Sequence, residues 1–347
     1  MWVKGELFDD LQSVAARFAD RLSDEAQPHL FNRLTWYELT KTYARPDARP
    51  LIAYAHAQGH DAWLFLDRTA PKAAHGLGSW YTLAFRPVFS ADVPTNIRYA
   101  LLVAMARRLR KTLGSFRLEP VPDADGTRDM LVRAFRKAGW SVASSPKTGN
   151  WFTIVEDISF GEFWLRRPGQ VRSTHDRRAK KFPMDLQVHS EVTSDLWAQY
   201  ESIFADSWKG DEGAPEFLRA LAEHHSTMGS LRLGFASFEG RPIAAQLWTV
   251  DHGHAIIHKL AYREDSAQMS PGTLLSAAMF RHAIDTDKVQ SISYGTGDDG
   301  YKRDWMDQRD QLHTLEFFNP LSVTGLLGMA KSAASCAFNA LKTRKKT

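Results

Sequence analysis

Cysteine is all but absent: the 347 residues hold one, Cys336. A disulfide framework and a cysteine-based zinc site are thereby excluded, and a reducing compartment is permitted. No stretch approaches the ~20 uninterrupted apolar residues that a spanning helix needs, so no transmembrane segment is expected. The first residues, Met1-Trp2-Val3-Lys4-Gly5-Glu6, reach Asp9 and Asp10 before any apolar run, unlike a secretory signal. The expected location is the cytoplasm. Acidic residues are missing from 321–347, which carries five basic ones. Residues 1–157 hold 21 basic and 17 acidic side chains, whereas 158–320 hold 18 and 23. The pI near 9.0 therefore owes much to the last segment. It is a weak argument for a nucleic-acid surface, and no DNA partner is expected.

What is present is ordinary globular material. Apolar residues make up 44% of the chain, enough for two sizeable cores at this length. Helical spacing covers 7–22 (Phe8, Leu11, Val14, Ala15, Phe18), with a short second helix over 34–43. Strands are expected at 51–57 and 62–67, with a looser one at 79–85. A helix over 94–113, a strand at 116–121, a helix over 127–138 and a strand at 151–155 follow. The second half repeats the style. Helix is expected over 163–182, interrupted or started near Pro168, and over 194–208, 215–228 and 271–284. Strands are expected at 186–189, 231–238, 243–250, 254–262, 291–294 and 312–318. This alternation predicts an α/β chain with mixed (α+β) sheets. The expected division is 1–157, 158–320, and a C-terminal helix with a basic tail over 321–347. In that helix Leu326, Leu327, Phe338 and Leu341 are expected to face the body of the protein, and Cys336 to be a small buried residue. The basic tail (Lys342, Arg344, Lys345, Lys346) also suits a peripheral membrane contact.

Three segments carry chemistry. In 255–284 a strand ending at Tyr262 leads through a polar loop into a helix beginning Ser270-Pro271-Gly272-Thr273. Serine suits the N-cap because its hydroxyl can accept a first-turn amide proton. Proline suits the next position because it has no amide proton, and glycine leaves the backbone open to approach. The amides of Gly272, Thr273 and Leu274 would then point out of the helix start, where the dipole favours an anion. The same letters also spell a well-capped helix with a packed glycine.

The second segment runs from Tyr294 to Trp305 and holds a literal G-x-G-x-x-G at Gly295, Gly297 and Gly300. A dinucleotide fold would open an apolar helix there. Tyr-Lys-Arg-Asp-Trp follows instead, so that reading is rejected. Two readings remain: a glycine turn between strands, or a loop placing Asp298, Tyr301 and Lys302 at a cleft. The third segment gathers Arg166, Arg167, Arg172, Arg177, Arg178, Lys180 and Lys181 against Asp176 alone. It reads either as a solvated charged helix or as a phosphate-recognising surface. His224, His225, His252 and His254 do not complete a ligand set, and no metal is expected.

Taken together these pieces resemble the GNAT superfamily of acyltransferases. More narrowly they resemble the BioF2-like, cellulose-biosynthesis (CelD-type) branch, relatives of the Fem peptidyltransferases. The likeness covers about 165–305. It rests on Arg167-Pro168 through Lys180-Lys181, on His258-Lys259-Leu260-Ala261-Tyr262 followed by Ser270-Pro271-Gly272, and on Gly295 to Trp305. The resemblance implies tandem GNAT-like domains, with acetyl-CoA or another acyl-CoA as co-substrate. The diphosphate would lie on Ser270, Gly272, Thr273 and Leu274, and the pantetheine along the strand ending at Tyr262. The acceptor would be a small molecule or a glycan-linked saccharide or amine, in exopolysaccharide or envelope assembly. Arg172, Arg178, Lys302 and Trp305 are the candidate substrate contacts. Acyl transfer needs a base, which His258 or Asp298 would supply, and an acid, for which Tyr301 is the candidate. Gln268-Met269-Ser270-Pro271-Gly272-Thr273 matches the family's Q/R-x-x-G-x-G/A only in part. Ser293 stands where relatives often carry an aspartate, so a base there must come from another group. The alternatives are a Fem-like transferase using aminoacyl-tRNA, and a non-catalytic binding protein of the same fold.

Overall fold

The computed structural model describes residues 3–210 and 212–344, with side chains to residue 334. Two compact units emerge, Met1–Thr148 with Gln311–Thr347, and Gly149–Asp310. Residues 311–320, expected to end the second domain, cluster instead with the first unit.

The first unit runs β1 (Lys4–Phe8), α1 (Leu11–Leu22), α2 (Leu34–Leu39), β2 (Pro50–Ala57), β3 (His60–Ala70), β4 (Ala73–Gly76), β5 (Val88–Phe89), α3 (Thr95–Arg110), β6 (Ser115–Val121), α4 (Thr127–Lys137) and into β7 (Ser141–Ile154). The second takes the end of β7 and continues through α5 (Phe160–Leu165), α6 (Gly169–Lys181), β8 (Asp185–His189), α7 (Ser194–Ala205), α8 (Pro215–Thr227), β9 (Leu231–Phe238), β10 (Arg241–Asp251), β11 (His254–Tyr262), α9 (Pro271–Arg281), β12 (Ser291–Thr296) and α10 (Gly300–Trp305). The chain then enters β13 (Gln308–Phe318) and ends in α11 (Val323–Arg344).

Strand order in the first unit is β1-β2-β3-β4-β6-β13, antiparallel except for the parallel β4–β6 pair. In the second it is β7-β12-β11-β10-β9-β8, antiparallel except for the parallel β11–β12 pair. Both units are thus mixed α/β, as the alternation of elements requires. In the first, α3 lays Leu101, Leu102, Met105 and Leu109 against Leu51, Ala53 and Leu64, and Phe116 stacks on Phe317 at 4.2 Å. In the second, Phe280 of α9 meets Phe163 (5.0 Å), Trp248 (5.2 Å) and Trp305 (5.0 Å). These aromatic clusters bury the area that anchors α9 to its sheet.

Several expectations are corrected. Helix α1 begins at Leu11, not residue 7, because the Asp10 carboxylate caps it (Ser13 N–H, 2.6 Å) and Phe8 belongs to β1. Residues 79–85 form no strand. The Thr82 hydroxyl accepts the Ser79 amide at 3.2 Å, and Thr82 N–H returns to the Ser79 carbonyl, so the backbone turns on itself. The helix expected over 163–182 is two, α5 and α6. Pro168 starts the second, because a proline has no amide to continue the first. Strand β7 starts ten residues earlier than its sequence suggests, at Ser141. Leu326 and Leu327 do not face the body; both are exposed. Cys336, Phe338, Leu341 and the basic residues from Lys342 onward have side chains outside the described residues.

Candidate active site

The second unit is built around one irregular pair of strands. β11 and β12 are parallel and pair only through His254–Ser291, Ala255–Ile292 and Ile256–Ser293. Beyond Ile256 no register links them, while each keeps its outer partner: β10 on one side, β7 on the other. The result is a wedge, with the second half of β11 along one wall. On its far side β11 carries a bulge. Leu247 faces Lys259 and Trp248 faces Ile257, which leaves His258 as the extra residue. A bulge re-aims the backbone groups around it and adds twist, a common device beside active sites.

His258 is half-buried, and its Nε2 lies 2.9 Å from the Thr249 hydroxyl. Desolvation, with the Lys259 charge second, pushes its pKa down to about 3. The imidazole is therefore neutral at physiological pH and has little driving force to take a proton. Asp298 is no better a base. Its two carboxylate oxygens accept from Arg309 Nε (2.7 Å) and Nη2 (2.8 Å), and Trp151 Nε1 donates to it at 3.2 Å. The Arg309 bond first of all holds its pKa down at about 2. Both expected bases are placed near the wedge, and both are electrostatically unsuited to the role.

The start of α9 departs further from expectation. Ser270 sits at φ 55°, ψ 46°, a left-handed conformation that is uncommon for serine, and its hydroxyl caps nothing. The Thr273 and Leu274 amides both donate to the Ser270 carbonyl, at 3.1 and 3.3 Å. Pro271 has no amide, so only Gly272 N–H is left, and Gly272 is buried. A Cβ on Gly272 would lie 3.2 Å from Tyr262 Cδ1. The open cradle of amides over 272–274 is therefore corrected to one covered donor. Tyr262 forms the lid of that glycine and meets the Trp208 ring at 4.2 Å.

Four other expected residues are placed as follows. Trp305 is buried against Phe280 and is a core residue, not a substrate contact. Lys302 is buried too: its amine donates to the Thr296 carbonyl and lies 3.5 Å from Asp299. Burial lowers its pKa, with Asp299 opposing. Arg172 donates to the Arg167 carbonyl (3.2 Å), and Arg178 lies over Phe182 (5.8 Å). Both lie on α6, a helix that buries no residue. Arg167 leaves the basic patch altogether. It is buried over Phe163 (4.4 Å) and pairs with Asp307, whose other oxygen accepts from the Thr153 hydroxyl (2.6 Å). Ser293 serves its own turn, accepting the Gly295 amide at 3.3 Å.

Tyr301 is exposed, meets Tyr294 edge-on at 5.4 Å, and has its pKa raised to about 12 by desolvation and Asp299. It keeps its proton and can donate it. Sequence reasoning missed the group that completes this corner. Lys209, in the α7–α8 loop, is lowered to about 8 by desolvation first, then by Lys259, with Glu212 opposing, Lys302 adding to it and Asp299 opposing. The residue as a whole is exposed, and the Lys259 and Lys302 charges work against its own charge while those of Glu212 and Asp299 favour it. Glu212 binds Lys259, and Asp299 binds Lys302. Lys209 has no carboxylate partner among the described residues and lies 5.7 Å over the Trp208 ring. The only sequence signal was the Trp208-Lys209-Gly210 turn itself, which says nothing of the lysines around it. Among the described residues no group of three His, Cys, Asp or Glu could hold a metal ion.

Residues 165–303 match the family described as the acetyltransferase (GNAT) domain. Solved structures agree on the fold. The structure of FemX is similar over 92% of this chain and 98% of its own, at 11% identity and a TM-score of 0.61. The C-terminal domain of a protein assigned as a lysylphosphatidylglycerol synthetase from Agrobacterium fabrum is similar over 93% of this chain and 96% of its own, at 10% identity and 0.57. L-PGS from Bacillus licheniformis is similar over 90% and 92%, at 8% identity and 0.55. No curated protein matches the chain.

Proposed function

We propose that the second unit is an acyltransferase that moves an acyl group from a coenzyme A thioester to an amine or hydroxyl acceptor. The observation that carries this reading is the wedge between β11 and β12, opened three residues after pairing begins and flanked by the His258 bulge. The thioester arm lies along the free edge of β11, where backbone amides meet its carbonyl as charge develops on oxygen. The acceptor lies toward Lys209, Lys259 and Tyr301. The acceptor nitrogen or oxygen forms the new bond to the acyl carbon as the carbon–sulfur bond breaks. Lys209, uncharged in part near pH 8, takes the acceptor proton, and Tyr301 donates to the departing thiolate. The match of 165–303 to an acetyltransferase domain supports an acetyl or similarly small acyl group. A saccharide or amine acceptor, as in envelope or exopolysaccharide assembly, fits the exposed aromatic Trp208 and Tyr301.

Acetyl-CoA should raise the melting temperature in a scanning-fluorimetry titration, and Gly272→Trp, which drives into Tyr262, should abolish the shift. No shift, together with no thiol release across a panel of amines and sugars, would remove the reading.

One observation favours a second reading. Two of the three amides that would hold a coenzyme A diphosphate are engaged by Ser270, whereas Arg166, just past α5, and Arg177, Lys180 and Lys181 of α6 are exposed. An aminoacyl-tRNA donor would use those four cations and not the amides. Binding of tRNA that weakens with salt, at a log–log slope of no more than about −4, is then expected. Absence of tRNA binding at low salt removes it.

A further inference from the structure

The first turns of helix α11 are packed inside out. Gly325 and Gly328 form its inner face: a Cβ on the first would collide with the Asn319 backbone, and one on the second would lie 2.6 Å from the Phe318 ring. The start of the helix is pinned, not loosely placed. Asn319 Nδ2 donates to the Arg110 and Leu113 carbonyls at 2.9 and 3.2 Å, and the Ser322 hydroxyl caps the Gly325 amide at 3.0 Å. The outer face presents Val323 (75% exposed), Leu326 (53%) and Leu327 (67%) to solvent, and Leu321 (78%), just before the helix, is exposed beside them. Val323, Leu326 and Leu327 share one stripe, at i, i+3 and i+4. A globular helix does the reverse, burying such a stripe and exposing its small residues.

The charge around the stripe says what covers it. From 321 to 347 the chain has five basic residues and no acidic one, and Lys331, one turn after Leu327, is exposed. A protein partner would have to supply both an apolar groove and a concentration of carboxylates. An anionic bilayer supplies both by its nature: acyl chains for the leucines, phosphates for the lysines, which reach out of the apolar layer along their own stems. No helix among the described residues is long and apolar enough to cross a membrane, so contact is with one leaflet. We propose that the first turns of α11 seat the protein on the surface of an anionic bilayer, with Leu321, Val323, Leu326 and Leu327 inserted and Lys331 at the headgroups.

The full chain, sedimented at low salt with phosphatidylcholine vesicles containing phosphatidylglycerol, should bind. Phosphatidylcholine alone should bind several-fold less, and added salt should weaken binding to the anionic vesicles. The double variant Leu326→Asp/Leu327→Asp, placed at exposed positions, should keep its melting temperature and bind about tenfold less or worse. If that variant does not fold, Leu321→Ser/Val323→Ser tests the same face by the same assay. No binding to the anionic vesicles, equal binding by folded variants, or indifference to lipid charge overturns the proposal. So does a dimer of the unmodified chain on sizing that the double variant dissolves, since a second copy would then be the occupant.

Discussion

Asp298 and Arg309 meet through two hydrogen bonds, Nε to Oδ1 at 2.7 Å and Nη2 to Oδ2 at 2.8 Å. Gly149 sits where a side chain would strike both: a Cβ there would be 2.5 Å from Arg309 Nε and 2.6 Å from Asp298 Oδ1. The pair fixes the loop that leads to Tyr301. Arg309→Ala should therefore reduce turnover through the position of Tyr301, and Asp298→Asn should do likewise. Neither should remove a titration from the pH–rate profile. Loss of a limb in Asp298→Asn would restore the aspartate as the base.

Lys209 gives the opposite signature. Its amine must be uncharged to accept a proton, so kcat/KM should climb with pH through about 8. Lys209→Met should lower the rate by roughly 10²–10⁴ and flatten that limb. A limb that survives the substitution assigns the base elsewhere.

His258 makes stability depend on acid. Its folded pKa of about 3 lies below the ordinary 6.5. Between those values the unfolded chain binds a proton that the native imidazole refuses, so stability drops as pH falls from 6.5 toward 3. The slope is at most about 1.4 kcal/mol per pH unit from this group. Urea melts at pH 7, 5.5 and 4.5 should show His258→Asn losing less than the parent on acidification. Parallel losses would mean that the histidine is protonated in the native state.

The floor of the second unit is a buried polar chain. Trp248 Nε1 donates to Gln246 Oε1 (2.7 Å), and Gln246 Nε2 donates to Ser276 Oγ (2.8 Å). Gln246→Leu leaves Trp248 and Ser276 unsatisfied, and should cost about 2 kcal/mol or more in denaturant unfolding. Restoration by Ser276→Ala in the same chain would be partial.

Gly234 of β9 offers a purely steric test. An alanine methyl there would collide with Met279 Sδ and approach Leu275 Cδ1 at 3.3 Å. Gly234→Ala should destabilise by about 1–3 kcal/mol through overpacking of α9 on the sheet. A neutral result would mean that Met279 swings aside freely.

Most elements could be read locally, because amphipathic helices such as α1 and α4 and alternating strands such as β11 declare themselves in a dozen residues. Where the reading failed, a long-range partner decided. The stretch 144–150, Ser-Ser-Pro-Lys-Thr-Gly-Asn, has the letters of a turn, yet it lies inside β7. Ser270 has the letter of a cap, but its backbone is left-handed and its hydroxyl caps nothing. Arg167 counts as a surface charge until Asp307, far along the chain, buries it. The lysine charges that act on Lys209 belong to two other elements, and spacing carries no record of that. Of the residues flagged in Gly295–Trp305, Lys302 and Trp305 face inward, whereas Asp298 and Tyr301 are exposed.

The early parting of β11 from β12 has a consequence for selectivity. Opening such a notch breaks no interstrand bond, since each strand remains tied to its outer neighbour. The exposed edge of β11 keeps main-chain donors and acceptors at the repeat of a sheet. On the proposed reading, the donor is chosen for its ability to act as a missing strand: narrow, extended and carrying amides of its own. Recognition would then reside in the shaft of the donor, leaving the cargo at its tip free to vary.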